Sequence, residues 1–124
     1  MTALAQKLQL KSSQGLELIN PPAGYGNFLM AEGIGIIGTS NAVLVFINSL
    51  EEVERIVPST LGSISTDALA WISYPKGSSG VRTDVNRDKL WAALKSSGWR
   101  PVRQIALDDI WSALRFRPAE KVGK

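Results

Sequence analysis

The chain of 124 residues contains no cysteine and no histidine. The lack of cysteine excludes disulfides, thiol catalysis and thiolate metal sites, and the lack of both residues removes the usual zinc ligands. The most common general base at neutral pH is missing as well. Because no Asp/Glu cluster of the calcium-loop or two-metal kind occurs, we predict that the protein binds no metal.

Long hydrophobic runs are also missing. The longest apolar segment, residues 42–47, is far too short to span a bilayer. Residues 1–8 have neither the charged start nor the apolar stretch of a signal peptide. We therefore predict a cytoplasmic protein without membrane contact.

The composition is that of an ordinary globular protein, with 44% hydrophobic and 20% charged residues. The length predicts a single α/β domain over residues 1–118, which can bury a core without disulfides or metal. Residues 119–124 are predicted to form a disordered tail. The formal net charge of +3 and a sequence pI near 9.5 leave two interpretations open, namely a solvated surface or a surface that contacts anions.

Buried strands alternate with helical segments along the chain, which predicts a mostly parallel, Rossmann-like sheet in a three-layer α/β sandwich. The predicted strands are residues 16–19, a weak strand at 33–38, and residues 42–47, 69–74, 101–107 and 110–116. The last two strands are joined by a short turn at Asp108 and Asp109, which favours an antiparallel hairpin at the sheet edge. The predicted helices begin at residues 2, 28 and 50 and after residue 84 or 86.

Capping residues set the predicted helix ends. Ser49 and Glu52 have the spacing of a capping box, and Pro58 is expected to end or kink the helix that they start. Asn27 is predicted to cap the brief second helix. Asp84 or Asn86 is predicted to cap the last helix, which Gly98 ends and whose predicted core face is Leu90, Trp91, Ala93 and Leu94.

A cationic glycine–serine loop, residues 76–80, follows the strand at 69–74. Free backbone amides, two hydroxyls and a cation are the components of an anion site, and open α/β sheets bind ligands just beyond their strand ends. The order of residues is not that of a Walker A loop. The predicted ligand-binding residues are Lys76, Ser78, Ser79, Arg82, Asp84 and Arg87, with Trp111 and Arg115 flanking them if the last strand lies nearby.

Other side chains give weaker evidence for a binding site. Arg103, Arg115 and Arg117 have even spacing on neighbouring strands, which is compatible with either an exposed row or an anion-binding strip. The four tryptophans are expected in the core or at its rim. The Asn20–Ala23 segment, Asn-Pro-Pro-Ala, resembles the Asn-Pro-Pro-aromatic motif of amino-group methyltransferases, but alanine replaces the aromatic residue, so we interpret it as a turn that ends the first strand.

The second half of the chain resembles a bacterial family catalogued as a domain of unknown function, number three thousand and fifty-two. The resemblance covers about residues 69–118, with a weaker match at residues 20–25, and rests on Tyr74-Pro75-Lys76, Ser79-Gly80, Thr83-Asp84, Asn86-Arg87-Asp88, Pro101-Val102-Arg103-Gln104, Asp108 and Trp111–Phe116. It implies a shortened methyltransferase-type Rossmann sheet that ends in an antiparallel hairpin. The acid-glycine-glycine cofactor loop of those enzymes is missing from this sequence.

Three functional hypotheses follow. The first is a non-catalytic module, needing no cofactor, that binds a small anionic ligand, such as a nucleotide, or the acidic surface of a protein partner. The alternative is a reduced S-adenosylmethionine- or nucleotide-dependent enzyme, in which Asp84 and Asp109 are the plausible bases. A less favoured alternative is a nucleic-acid binder, whose affinity would fall steeply with salt. The sequence is compatible with either a monomer or a homodimer.

Overall fold

The computed structural model describes residues 3–11, 15–36, 41–65, 67–77, 80 and 82–119. The predicted tail beyond Ala119 lies outside these ranges. The helices are α1 (Ala3–Lys7), α2 (Tyr25–Ala31), α3 (Leu50–Ser63) and α4 (Arg87–Leu94), and the strands are β1 (Glu17–Ile19), β2 (Ala42–Phe46), β3 (Leu69–Pro75), β4 (Trp99–Ala106) and β5 (Trp111–Pro118). A 3-10 turn, Lys95–Ser97, joins α4 to β4.

The five strands form one mixed sheet in the order β1-β2-β3-β5-β4. The pairs β1–β2 and β2–β3 are parallel, whereas β5 runs antiparallel to both β3 and β4. The connection from β3 through α4 therefore leads to β4, which lies two places away in the sheet, and β5 occupies the place between β3 and β4. The α/β class and the C-terminal antiparallel hairpin are confirmed, with β4 rather than β5 on the edge.

Two hydrophobic clusters account for the core. Helices α1 and α2 contribute to the first cluster together with Phe46 and Trp71. Helices α3 and α4 contribute to the second together with Val45 and Ile72. Adjacent strand residues point to opposite faces of a sheet, so each central strand supplies both clusters and is apolar throughout.

Helix α3 begins as predicted but continues beyond the predicted breaker. The Ser49 hydroxyl accepts from the Glu52 backbone N–H at 3.2 Å, and the Glu52 carboxylate accepts from the backbone N–H of Asn48 at 2.7 Å. The prediction that Pro58 ends the helix is wrong, because α3 runs on to Ser63; a kink at Pro58 stays a prediction. Pro58 has no backbone N–H to donate to the carbonyl of Glu54, four residues earlier. Both residues are exposed, so water can donate to that carbonyl instead.

Several local predictions differ from the observed elements. Asn27 lies inside α2, whose N-cap is Gly24 at a φ of +79°, a backbone conformation that glycine adopts without strain. The weak strand reduces to a single parallel bridge between Leu16 and Ile36, and residues 37–38 lie outside the described ranges. Asn86 caps α4 by accepting from the Lys89 backbone N–H at 2.8 Å.

The predicted core face of α4 is only half correct. Leu90 and Leu94 are buried, whereas Trp91 and Ala93 are exposed. Residues four apart lie on one face of a helix, and Trp91 is rotated by about 100° from Leu90. Within the described ranges, no helix combines the length and hydropathy that a membrane span requires.

Candidate functional site

The cationic loop leaves the sheet at the end of β3. The Lys76 backbone N–H donates to the Ile110 carbonyl at 2.7 Å, which ties the start of the loop to the β4–β5 turn. Arg82 is exposed on the far side of the loop, and Ser78 and Ser79 lie outside the described residues. The structure thus places the start of the loop at the carboxyl end of β3, and contact of the loop with a ligand stays a prediction.

Asp84 has a structural partner that the sequence does not reveal. Its carboxylate accepts from the Leu50 backbone N–H at 2.9 Å, at the first turn of α3, and the Thr83 hydroxyl donates to the Asn48 carbonyl. Asp84 was predicted either to cap the last helix or to act in the site. It caps α3 instead, because the loop after β3 folds back onto the β2–α3 connection. A carboxylate is favourable there, since the N-terminus of a helix has partial positive charge.

Trp111 belongs to an aromatic cluster at the same sheet edge. Its ring lies 5.1 Å from that of Phe46, whose ring lies 4.8 Å from that of Tyr25. The Tyr25 hydroxyl donates to Asp108 Oδ2 at 2.9 Å, and Asp108 Oδ1 accepts from the backbone N–H groups of Ile110 and Trp111. The Tyr25, Phe46 and Trp111 rings therefore pack against one another, and Asp108 hydrogen-bonds to this cluster.

The Tyr25–Asp108 hydrogen bond makes the fold sensitive to alkaline pH. Burial, and then the hydrogen bond and charge of Asp108, raise the pKa of Tyr25 far above its usual value of 10.0. Above that pH the unfolded chain loses the phenol proton while the folded chain keeps it, so stability falls as pH rises.

Between pH 8 and pH 11, Tyr25 alone is expected to lower the free energy of unfolding by about 1.4 kcal/mol. Urea unfolding at both pH values, with wild type and Tyr25→Phe compared, measures this contribution. The variant should lose less stability than wild type by about that amount. An equal loss in both proteins would contradict the assignment.

A cavity lies on the other face of the sheet, between α4 and the edge strand β4. Its volume is about 330 Å³, and its lining residues are Arg87, Asp88 and Trp91 from α4, Pro101, Val102, Arg103 and Gln104 from β4, and Leu114 from β5. Leu114 is buried and lies opposite Gln104 in the strand register, so it forms part of the apolar base. Of the predicted site residues that the structure describes, only Arg87 lines this cavity.

The polar groups of the cavity come from two elements. Arg87 and Trp91 are four residues apart and so share one face of α4. Across from them, Gln104 Nε2 donates to the Tyr74 hydroxyl at 3.2 Å. Burial raises the pKa of Tyr74, and the nearby positive charge of Arg87 partly offsets this effect, so the hydroxyl is neutral at pH 7 and can donate a hydrogen bond.

Sequence reasoning missed Trp91 and Gln104 as site residues. The spacing of Arg87 and Trp91 was a usable signal, because Leu90 and Leu94 already define the buried face of the helix. No comparable signal identified Gln104, since its position opposite α4 depends on β4 taking the outer place in the sheet.

Arg115 does not join the strand-end loop. It lies opposite Trp71 near the beginning of β3, whereas Lys76 follows the end of that strand. Its guanidinium donates to the side chain of Gln9, just beyond α1, so it occupies the face opposite to the α4 cavity. Among the residues that the structure describes, no group of three or more carboxylates is placed to hold a metal ion.

Comparison with known proteins identifies a similar fold. A crystal structure of the ribosomal protein L11 methylase from Lactobacillus delbrueckii subsp. bulgaricus superimposes with a TM-score of 0.55 at 10% sequence identity, covering 93% of this chain and 76% of that chain. No protein-family model and no curated protein matches the sequence. At this identity the likeness concerns the fold, which is α/β and methylase-like.

Proposed function

We propose that the chain is a non-catalytic binding module that holds a nucleotide in the cavity between α4 and β4. The observation that carries this proposal is the convergence on one cavity of an exposed aromatic ring, a cation and the exposed Gln104 amide, which the buried Tyr74 holds by a hydrogen bond. We also propose that the fold is a three-layer sandwich, with α1 and α2 on one side of the sheet and α3 and α4 on the other. The cavity then opens at the edge of the layer that α3 and α4 form.

The size and the apolar wall of the cavity suit a small planar ligand. A volume of about 330 Å³ is at the lower end of the range for small-molecule sites. Trp91 keeps 37% of its surface exposed although it lies beside the buried helix face. An exposed indole is a stacking surface for a nucleobase, and such stacking contributes about 1–3 kcal/mol per base.

Arg87 supplies the charge for a phosphate. Its contact with the neighbouring Asp88 is long, 3.5 Å, and both side chains are mostly exposed. Because an exposed ion pair contributes only about 0–1 kcal/mol, a phosphate can replace Asp88 at little cost. The planar guanidinium can then bind two phosphate oxygens at once.

Gln104 supplies recognition of the base edge. Its amide nitrogen is bound to Tyr74, whereas its carbonyl oxygen accepts no hydrogen bond from the described residues. That oxygen can accept from the amino group of a base. The described lining residues include no serine, lysine, cysteine or histidine, so they offer binding groups without a nucleophile of the serine, cysteine or lysine type.

The proposal is tested by calorimetric titration of the protein with AMP, GMP and the corresponding nucleosides. Trp91→Ala should weaken nucleotide binding by roughly 5- to 100-fold, which corresponds to the loss of one stacked base. Arg87→Gln should remove the preference for the nucleotide over its nucleoside. Arg55→Gln, which changes an arginine on α3 outside the cavity with a side chain about as exposed as that of Arg87, is the matched control and should bind like wild type. Equal nucleotide affinity in wild type and Trp91→Ala would refute the assignment.

The alternative is a reduced S-adenosylmethionine- or nucleotide-dependent enzyme, and the methylase-like fold favours it. The residues beyond β1 and β2 do not fit a nucleotide-type cofactor, because Pro21 and Pro22 lack N–H donors and the Tyr25–Phe46–Trp111 cluster fills that edge. We therefore derive no catalytic step. Binding of S-adenosylmethionine that Trp91→Ala leaves unchanged would favour this alternative.

The remaining sequence-based expectations complete the proposal. We propose a cytoplasmic monomer or homodimer, related to the bacterial domain-of-unknown-function family on the residues quoted from its second half. The cytoplasmic location is supported by the lack of a membrane-spanning helix in the described ranges. The methyltransferase-type layout implied by the resemblance agrees with the methylase-like fold.

A further inference from the structure

The C-terminal hairpin carries four arginines on one face. In the register of β4 and β5, Arg103 lies directly opposite Arg115, and Arg100 lies directly opposite Arg117. Directly paired residues point to the same side of a sheet, as do residues two apart on one strand. Arg100 and Arg103 are three residues apart on β4, and the register shift between Pro101 and Arg103 returns them to the same side of the strand. All four arginine side chains therefore lie on the side of the sheet that α1 covers. We call this surface the arginine face.

The arginine face opposes like charges in two adjacent pairs, which destabilises a sheet. Within the described part of the chain, none of the four arginines forms an ion pair with an acidic side chain. Arg115 Nε is buried without a hydrogen-bond partner. Burial and the proximity of Arg117 and Arg103 lower the pKa of Arg115, so the cluster carries an electrostatic cost that an anion would relieve.

Neighbouring groups extend the positive surface rather than neutralise it. Gln9, which accepts from Arg115, is uncharged, and the Lys7 ammonium lies near the same hairpin, where it donates to the Ala106 carbonyl at 3.3 Å. The two arginine pairs are roughly 6.8 Å apart along β5, by the rise of an antiparallel strand. That spacing equals the rise of about two nucleotides along one strand of a duplex.

We propose that the arginine face binds the phosphate backbone of a nucleic-acid duplex. Its four guanidinium groups contact phosphate oxygens, and base identity is not read. The cavity lies on the α4 side of the sheet and the arginine face on the α1 side, and the two sites share Arg103, which stands on the edge strand between them.

The composition of this surface favours a nucleic acid over an acidic protein. Protein interfaces have an apolar, aromatic-rich centre from which charged residues are depleted. The exposed large apolar side chains of the described chain lie elsewhere, on α2, in the β4–β5 turn or at the α4 cavity. A flat row of arginines without an apolar centre suits backbone contacts, which position a nucleic acid without reading its sequence.

The test measures binding of a fluorescent duplex oligonucleotide by anisotropy between about 50 and 200 mM salt. Four phosphate contacts predict a loss of roughly 150-fold in affinity across this range. In Arg100→Gln/Arg103→Gln, which changes two exposed positions, the slope of log K against log salt should be shallower by about 1.8 and the loss only about 12-fold. Thermal melting confirms that each variant is folded.

The control Arg55→Gln/Lys89→Gln removes the same charge from exposed positions off the arginine face and should keep the wild-type slope. Trp91→Ala should also bind the duplex like wild type, which separates this proposal from the nucleotide cavity. Equal slopes for the two double variants would overturn the proposal, since net charge alone would then explain binding. It would also be overturned if polyglutamate of equal charge displaced the duplex at equal concentration, because the face would then be a protein-docking surface.

Discussion

Replacing Trp71 with alanine is expected to lower the free energy of unfolding by about 3–5 kcal/mol. Trp71 is fully buried in the centre of the sheet and belongs to the cluster that α1 and α2 cover. Its indole N–H donates to the Leu8 carbonyl at 3.0 Å, so the same side chain fills the core and anchors the turn after α1. Alanine removes the ring, leaves a cavity and deprives a buried carbonyl of its donor.

Urea unfolding at neutral pH measures the loss, with Trp71→Phe as the control. Phenylalanine keeps most of the buried apolar area and loses the indole hydrogen bond, so this variant should be destabilised by about 1–2 kcal/mol. The alanine variant should also bind duplex more weakly, because Gln9 follows Leu8 and orients Arg115. Equal, small losses in both variants would show that Trp71 does not anchor the turn after α1.

The second large effect is expected for Asp108→Ala, which should lower the free energy of unfolding by about 3 kcal/mol. The half-buried Asp108 carboxylate accepts hydrogen bonds from the Tyr25 hydroxyl and from the backbone N–H groups of Ile110 and Trp111. Hydrogen bonds to charged groups contribute about 1.5–3 kcal/mol each when buried, and partial exposure reduces the sum. Without this acceptor the β4–β5 turn loses the bonds that shape it.

Asp108→Asn separates the charge from the geometry. Asparagine retains an oxygen at the Oδ1 position for both turn amides, so it should cost about 1 kcal/mol, far less than alanine. Chemical unfolding gives the free energies of unfolding of wild type and the two variants, and near-UV circular dichroism reports on the packing around Trp111. Equal destabilisation by asparagine and alanine would mean that the carboxylate charge, and not the turn bonds, stabilises the hairpin.

The hairpin connects the two proposed binding surfaces. Gln104 and Leu114 point to the α4 side and line the nucleotide cavity, whereas Arg115 points to the α1 side. Arg103 lies opposite Arg115 on the edge strand and also borders the cavity. Alternation along a strand therefore gives one pair of strands two chemically different faces. The Asp108 turn supports both, so its variants should weaken both activities together.

The sequence by itself determined the features that depend on neighbours in the chain. The apolar run of β2, the Ser49 cap and the turn at Asp108 follow from period, capping chemistry and turn propensity, which act over about four residues. The even spacing of Arg115 and Arg117 also placed them on one face before any fold was known.

Only the tertiary structure decided which distant residues meet. The sheet order places β5 between β3 and β4, which brings Arg103 opposite Arg115 and Gln104 within reach of Tyr74. The loop after β3 returns to α3, so Asp84 caps a helix 34 residues away in sequence. These contacts are set by burial of two apolar clusters on the two faces of one sheet, a free energy summed over the whole chain that no local pattern encodes.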